Sequence, residues 1–294
     1  MSKIVLDAVS PPQAAWLRYF SAFLSYLVAA AVITVMRSRA ARFGPAFTLP
    51  KSGRDALLIA GLGFSAFCFA PFLGMTGLNA SRAVDNALII AIEPLVTALL
   101  AWIFLREKLS AVLWFSFGLA LLGFSFLTGL TPALFWTGMD SHILGNLIIL
   151  ISLVGEAGYS IFARAVMPRY RMLGVFGTAL LFGTAVLTLI VSLRTGLPAL
   201  EVIQGKTALA LFWLGPLGST ATYLFWLLAL AEAPVASLAI TLFVQPVLGG
   251  VWGIIFLGDR LGAVQWLGAF LILIAVAAQG LPMFGSRTER DIGN

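Results

Sequence analysis

Long apolar runs recur along this chain with only short breaks between them, and that recurrence leaves one environment in which it can fold. Nine segments read this way: Trp16–Met36, Ala56–Leu78, Ala83–Leu105, Leu109–Leu127, Ile143–Ala165, Val175–Leu193, Ala208–Leu230, Ser237–Leu257 and Ala263–Pro282. Each is close to the roughly 20 residues that an α-helix needs to cross a hydrocarbon layer about 30 Å thick. The runs are continuous rather than alternating, which argues against barrel strands. Gly44-Pro45, Leu49-Pro50, Thr131-Pro132 and Leu197-Pro198 punctuate the connections. Lipid cannot satisfy exposed backbone groups, so the segments are predicted to be helices and the chain an all-α integral membrane protein.

Composition excludes the soluble alternatives. The chain is 61% hydrophobic and 10% charged, with a mean hydropathy of +1.02, whereas a soluble domain carries about 25% charged residues. The net charge of +6 is spread over the flanks of the apolar runs, so it speaks for a bilayer partner and not for nucleic acid. Twelve of the 18 Lys and Arg residues fall on one side if the segments alternate: Arg37, Arg39, Arg42, Lys51, Arg54, Arg106, Lys108, Arg164, Arg169, Arg171, Arg287 and Arg290. That side is predicted to be cytoplasmic, which puts the C-terminus inside a cell membrane, with a bacterial inner membrane the natural setting. The remaining six, Lys3, Arg18, Arg82, Arg194, Lys206 and Arg260, fall on the outer side.

The chain also repeats itself. Ala87-Leu-Ile-Ile-Ala-Ile-Glu-Pro94, continuing to Phe104-Leu-Arg-Glu-Lys-Leu109 and Trp114, matches Ala239-Ile-Thr-Leu-Phe-Val-Gln-Pro246, continuing to Phe256-Leu-Gly-Asp-Arg-Leu261 and Trp266, at an offset of 152 residues. Agreement of proline, acid–base pair and tryptophan goes beyond shared hydrophobicity and points to a duplication of the kind that builds transporters. Arg164-Ala-Val-Met-Pro168 closes the first segment of the second copy, and its counterpart is Asp7-Ala-Val-Ser-Pro11. The first copy therefore reads as lacking its opening helix. The parent architecture is five plus five spans, inverted relative to each other, with nine visible here. The two repeats are expected over residues 1–130 and 143–284.

Pro94 with Phe104-Leu-Arg-Glu-Lys-Leu109, Pro246 with Phe256-Leu-Gly-Asp-Arg-Leu261, and Pro11 followed by Arg18 resemble the EamA-type members of the drug/metabolite transporter superfamily, over residues 3 to about 280. The resemblance implies a ten-helix bundle that moves amino acids or related metabolites, commonly outward. The absent opening helix departs from that pattern.

Polar residues inside the spans are the candidate functional groups, above all the carboxylates, because a charged side chain costs about 2.5–3.5 kcal/mol at a helix centre. Glu93 is the foremost, a candidate for substrate or proton binding; Pro94 beside it removes a backbone donor and is predicted to break the helix. Gln245 and Pro246 are its counterparts in the second repeat. Glu156 sits among small residues in Val154-Gly-Glu-Ala-Gly-Tyr159, where another helix or a ligand can approach, and Tyr159 flanks it. Tyr223 and Trp226 are aromatic candidates for the same site; interfacial packing is their plain alternative. Arg82, Asp85 and Asn86 begin the third span as a possible outer gate, with a snorkelling Arg and a capped helix as the plainer reading. Pro71 and Pro216 are further kink candidates, and the lone Cys68 reads as a small buried hydrophobe.

No Walker A sequence, metal-binding histidine motif or nucleophile–base pair is present, so no cofactor, metal or catalytic residue is expected. The expected partners are a small-molecule substrate, the bilayer and, as a candidate coupling ion, the proton; oligomeric state is not legible. Two rivals stand beside a metabolite exporter. A sugar-phosphate or nucleotide-sugar antiporter needs cations in its cavity, and no Lys or Arg falls in the middle of a predicted span. A lipid scramblase or intramembrane enzyme is the alternative of another class.

Overall fold

A computed structural model describes residues 1–35, 44–105, 111–129, 140–166, 169–223 and 260–288, with residues 225, 254, 255 and 258. Among the described residues every regular element is helical. The chain opens with α1, Ser2–Leu6, and α2, Pro11–Val35. Pro11 suits the first turn of a helix, where its missing N–H would be unpaired anyway. Gln13 Oε1 accepts from the Ser10 backbone N–H at 3.2 Å and from the Ser10 hydroxyl at 2.9 Å, fixing the entry to α2. Next comes α3, Gly53–Asn79, capped by Ser52, whose hydroxyl accepts from the Asp55 N–H at 3.1 Å.

The third predicted span is two helices, α4 (Ala83–Ile90) and α5 (Glu93–Leu105). Their axes bend by 41° at the Ala91-Ile92 break. Then follow α6 (Ala111–Thr128), α7 (Ser141–Val166), α8 (Met172–Arg194), α9 (Gly205–Phe212, continuing as a π-helix over Trp213–Ala221) and α10 (Ala263–Thr288). Gly129 and Gly196 follow α6 and α8 with φ of 72°, the left-handed conformation that lets a helix end sharply.

Among the described residues four helices are long and apolar enough to cross a membrane, five with the bent pair counted as one, and α6 and α10 contain shorter apolar stretches. Of the nine predicted segments, Ser237–Leu257 lies almost wholly outside the described residues, and the other eight contain helix. The protein is thus an all-α, multi-pass membrane protein. Several helices begin two to five residues ahead of the predicted segments, and two of these starts matter for the polar residues they carry. α2 begins at Pro11, five residues before the predicted Trp16, and α7 begins at Ser141, so His142 is helical and not in a loop. In both cases polar residues at a helix start hide it from a hydropathy reading.

Helix α7 is the shared wall of the bundle. Its Ile149, Leu153 and Ala157 pack with residues of α4, α5, α6 and α10, while its Ala163 and Val166 pack with α2, α3 and α8. Close approach depends on glycine at two antiparallel crossings. A Cβ on Gly77 would stand 2.6 Å from the Gly145 carbonyl where α3 meets α7, and one on Gly123 would stand 2.7 Å from the Gly268 carbonyl where α6 meets α10. The exterior is apolar: Val28 (66% exposed), Phe115 (65%), Leu189 (59%) and Phe270 (61%) face outward, which suits lipid and not water.

Candidate functional site

Two helices lose their regular α spacing at equivalent places. Ser65–Phe69 of α3 and Trp213–Ala221 of α9 are π-helical. Shifting Ser65–Phe69 by the 152-residue repeat offset gives residues 217–221, inside the α9 segment. Pro71 follows the first and Pro216 lies within the second, so the predicted kinks take the form of widened turns. Interrupted helices at matched places in two repeats mark the interface at which transporters bind substrate.

The α3 widening places Phe67, fully buried, at the centre of an aromatic group. Its ring lies 5.6 Å from Tyr19 of α2, 6.2 Å from Tyr159 of α7, 5.6 Å from Phe176 of α8 and 5.7 Å from Tyr223 beyond the π segment of α9. Tyr159 and Tyr223 are themselves 5.4 Å apart, and Phe176 and Tyr223 5.3 Å apart. Five helices thus contribute one ring each. Cys68, the neighbour of Phe67, is buried, as its sequence context predicts.

Charge gathers beside these rings. Arg18 lies two turns into α2; its Nε donates to Ser219 Oγ of the α9 π segment at 3.2 Å, and its guanidinium carbon stands 5.2 Å from the Tyr19 ring centre. Glu156 of α7 is within electrostatic reach of Arg18, and Glu93, the first residue of α5, within reach of Glu156. Both carboxylates are half-buried, and among the described residues neither has a hydrogen-bond or ion-pair partner. The break in the third span therefore presents Glu93 at a helix N-terminus inside the bundle. The small residues around Glu156 serve the approach foreseen for them: a Cβ on Gly155 would meet Phe69 and Ser65 at 2.8 Å, and one on Gly158 would meet Ser65 at 3.0 Å.

Outside this centre, polar networks tie each end of α7 to its neighbours. At its start, Asp85, with no exposed side-chain surface, accepts from Arg82 Nη2 on both oxygens at 3.0 Å and from Asn146 Nδ2 at 3.2 Å, and His142 Nε2 stands 2.9 Å from its Oδ2. Arg82 Nη1 reaches on to the Arg260 carbonyl at 2.7 Å, and Gln265 Nε2 to the Leu127 carbonyl at 3.4 Å, so the ends of α4, α6, α7 and α10 are joined. Beyond its other end, Asp55 of α3 holds Arg169 Nη1 at 2.6 Å and the Tyr170 hydroxyl at 2.7 Å. Partial desolvation, together with that hydrogen bond, raises the Tyr170 pKa above its ordinary value.

Of the residues singled out in the sequence, Glu93, Glu156, Tyr159 and Tyr223 come together. Arg82 and Asp85 pair as foreseen, and Asn86, half-buried on the next position, makes no side-chain hydrogen bond among the described residues. Trp226, Gln245 and Pro246 lie outside the described residues, as does the Pro94 side chain. Arg18, expected on the outer flank, lies two turns inside its helix. It was counted as a flank because the apolar run begins at Trp16; Pro11, a helix-start signal, places it inside. Tyr19, Phe67, Phe176 and Ser219 were also missed, and Pro71 and Pro216 were the signal nearest to them.

Comparison with known proteins follows the same lines. No curated protein sequence matches. Several solved structures are similar; one, described only as the crystal structure of a protein, aligns over 95% of this chain and 91% of its own at 19% identity with a TM-score of 0.61, which speaks to fold alone. The sequence model of the EamA-like transporter family matches twice, over residues 1–129 and 143–279. The double match agrees with the internal repeat, and the chain belongs to the EamA-like transporter family, within the drug/metabolite transporter superfamily.

Proposed function

We propose that this transporter exports small metabolites, amino acids or related compounds, by alternating access around the site built from Glu93, Glu156, Arg18, Tyr159 and Tyr223. The observation that carries the reading is the convergence, where the helices are broken, of a guanidinium, aromatic rings and two carboxylates that have no partner among the described residues. Idle charges at that depth are costly, and interrupted helices at the repeat interface are where carriers hold substrate. Protons are the candidate coupling ion, with Glu93 as carrier. The Asp85 and Asp55 networks act as gates at opposite ends, Arg82 and Asp85 on the outer side; the C-terminus is cytoplasmic by the charge bias of the loops.

Arg18 supplies a cation that a phosphate-bearing substrate would need, but Glu156 within reach of that guanidinium and Glu93 within reach of Glu156 leave the site poorly matched to a dianion. A zwitterion suits it better. The test is exchange of radiolabelled amino acids in proteoliposomes with and without an imposed pH gradient. Saturable exchange supports the reading, and a gradient response lost in Glu93→Gln with binding retained assigns the proton to Glu93. Lipid scrambling without solute exchange would refute it.

A further inference from the structure

The Arg18 guanidinium is held by one edge only. Its Nε is committed to Ser219 Oγ at 3.2 Å, and the Tyr19 ring lies beneath it. Ser219 is itself fixed, donating to the Leu214 carbonyl at 2.8 Å, five residues back along the π segment. Next to it, Thr220 Oγ1 donates to the Ala22 carbonyl at 2.7 Å and accepts from Ser25 at 2.9 Å, so α9 is clamped on α2 and the guanidinium cannot easily swing away. Its two terminal nitrogens make no hydrogen bond among the described residues. They form the planar fork that matches a carboxylate with two parallel bonds. The charge within electrostatic reach of this guanidinium is Glu156 from α7, which is in turn within reach of Glu93 from α5; Tyr19 and Tyr223 supply hydroxyls nearby.

We propose that Arg18 is the specificity-determining residue of the site, receiving the carboxylate of the substrate, and that Glu156, within electrostatic reach of Arg18 but not ion-paired to it, is the anion whose charge the substrate's carboxylate displaces as Arg18's counter-ion. The inference rests on the transporter reading and adds to it an orientation. The substrate's acid end lies against α2 and α9, and its amine lies toward α5 and α7. Displacement leaves Glu156 and Glu93 with only each other, and one positive charge, an ammonium or a proton, then restores balance. Acid and amine recognition are thereby linked through Glu156.

The experiment uses the full-length protein and a panel of radiolabelled amino acids, each paired with its carboxamide. Exchange in proteoliposomes is measured beside ligand-induced thermal stabilisation of the purified protein, which does not depend on transport. The expected result is a preference for acid over carboxamide of at least tenfold in wild type. That preference falls to less than threefold in Arg18→Gln and is partly kept in Arg18→Lys. Glu156→Gln, which removes the competing anion, is expected to bind the acid several-fold more tightly, an effect that a purely structural Arg18 would not produce. Both Arg18 variants are checked for monodisperse elution; if Arg18→Gln does not fold, the Glu156→Gln affinity and the wild-type preference decide the matter. Wild type taking carboxamides as well as acids, Glu156→Gln binding acids no more tightly, or no amino acid stabilising the protein would each overturn the proposal. Stabilisation by acids without any exchange would refute the transporter reading and leave Arg18's role standing.

Discussion

The buried Asp85 network makes the firmest quantitative prediction. Asp85 has no exposed side-chain surface, while Arg82 keeps 24% of its own. Removing one member of a buried ion pair costs about 3–5 kcal/mol, because the other charge is stranded. The burial values decide the order. In Arg82→Leu the stranded group is the wholly enclosed carboxylate, so the loss falls near the upper end of that range, softened by His142 and Asn146. In Asp85→Leu the stranded guanidinium still reaches the Arg260 carbonyl and solvent, so the loss falls near the lower end. The double variant strands neither and is expected to lose less than Arg82→Leu alone, a coupling of at least about 1.5 kcal/mol. Unfolding midpoints in mixed micelles titrated with SDS give all three values. Single variants within about 0.5 kcal/mol of wild type, or a double variant equal to the sum of the singles, would refute the claim that this cluster holds four helix ends as one charge-balanced unit.

Other outcomes follow from particular contacts. Gly77→Ala is expected to destabilise by about 1–3 kcal/mol, since its Cβ would crowd the Gly145 carbonyl, whereas Gly118→Ala, with open space around it, is expected to be neutral or to stabilise by up to about 1 kcal/mol; thermal melts in detergent compare the two. Tyr26→Phe strips the hydroxyl that donates to the Ala46 and Leu173 carbonyls and is expected to cost about 1–3 kcal/mol in the same assay. Asp55→Asn weakens the hold on Arg169 and Tyr170, and is expected to raise the reactivity of a cysteine placed at the nearby buried Leu173 toward a water-soluble maleimide; unchanged labelling would remove Asp55 from the gating role.

The sequence by itself determined the solvent, the helical class, the duplication and two of the central charges. Those follow from local rules: lipid forces helices, a run of about 20 apolar residues spans, and a carboxylate in such a run is rarely idle. Glu93 and Glu156 were legible because each interrupts hydrophobic text at mid-segment. The break before Pro94 was legible because proline withholds a donor. Arg18 was not, because hydropathy sees its segment begin at Trp16 while the helix begins at Pro11. Nor was the role of Phe67 or Phe176, since one phenylalanine among 23 carries no mark of the rings it will meet. Only the tertiary structure decided which polar residues share a space, because that depends on two widened turns that shift helix faces, and on glycine contacts that set how closely the helices cross. His142 shows the same limit: Asp85 lies 57 positions before it in the chain, and what brings them to 2.9 Å is the packing of α4 on α7, which no local pattern encodes.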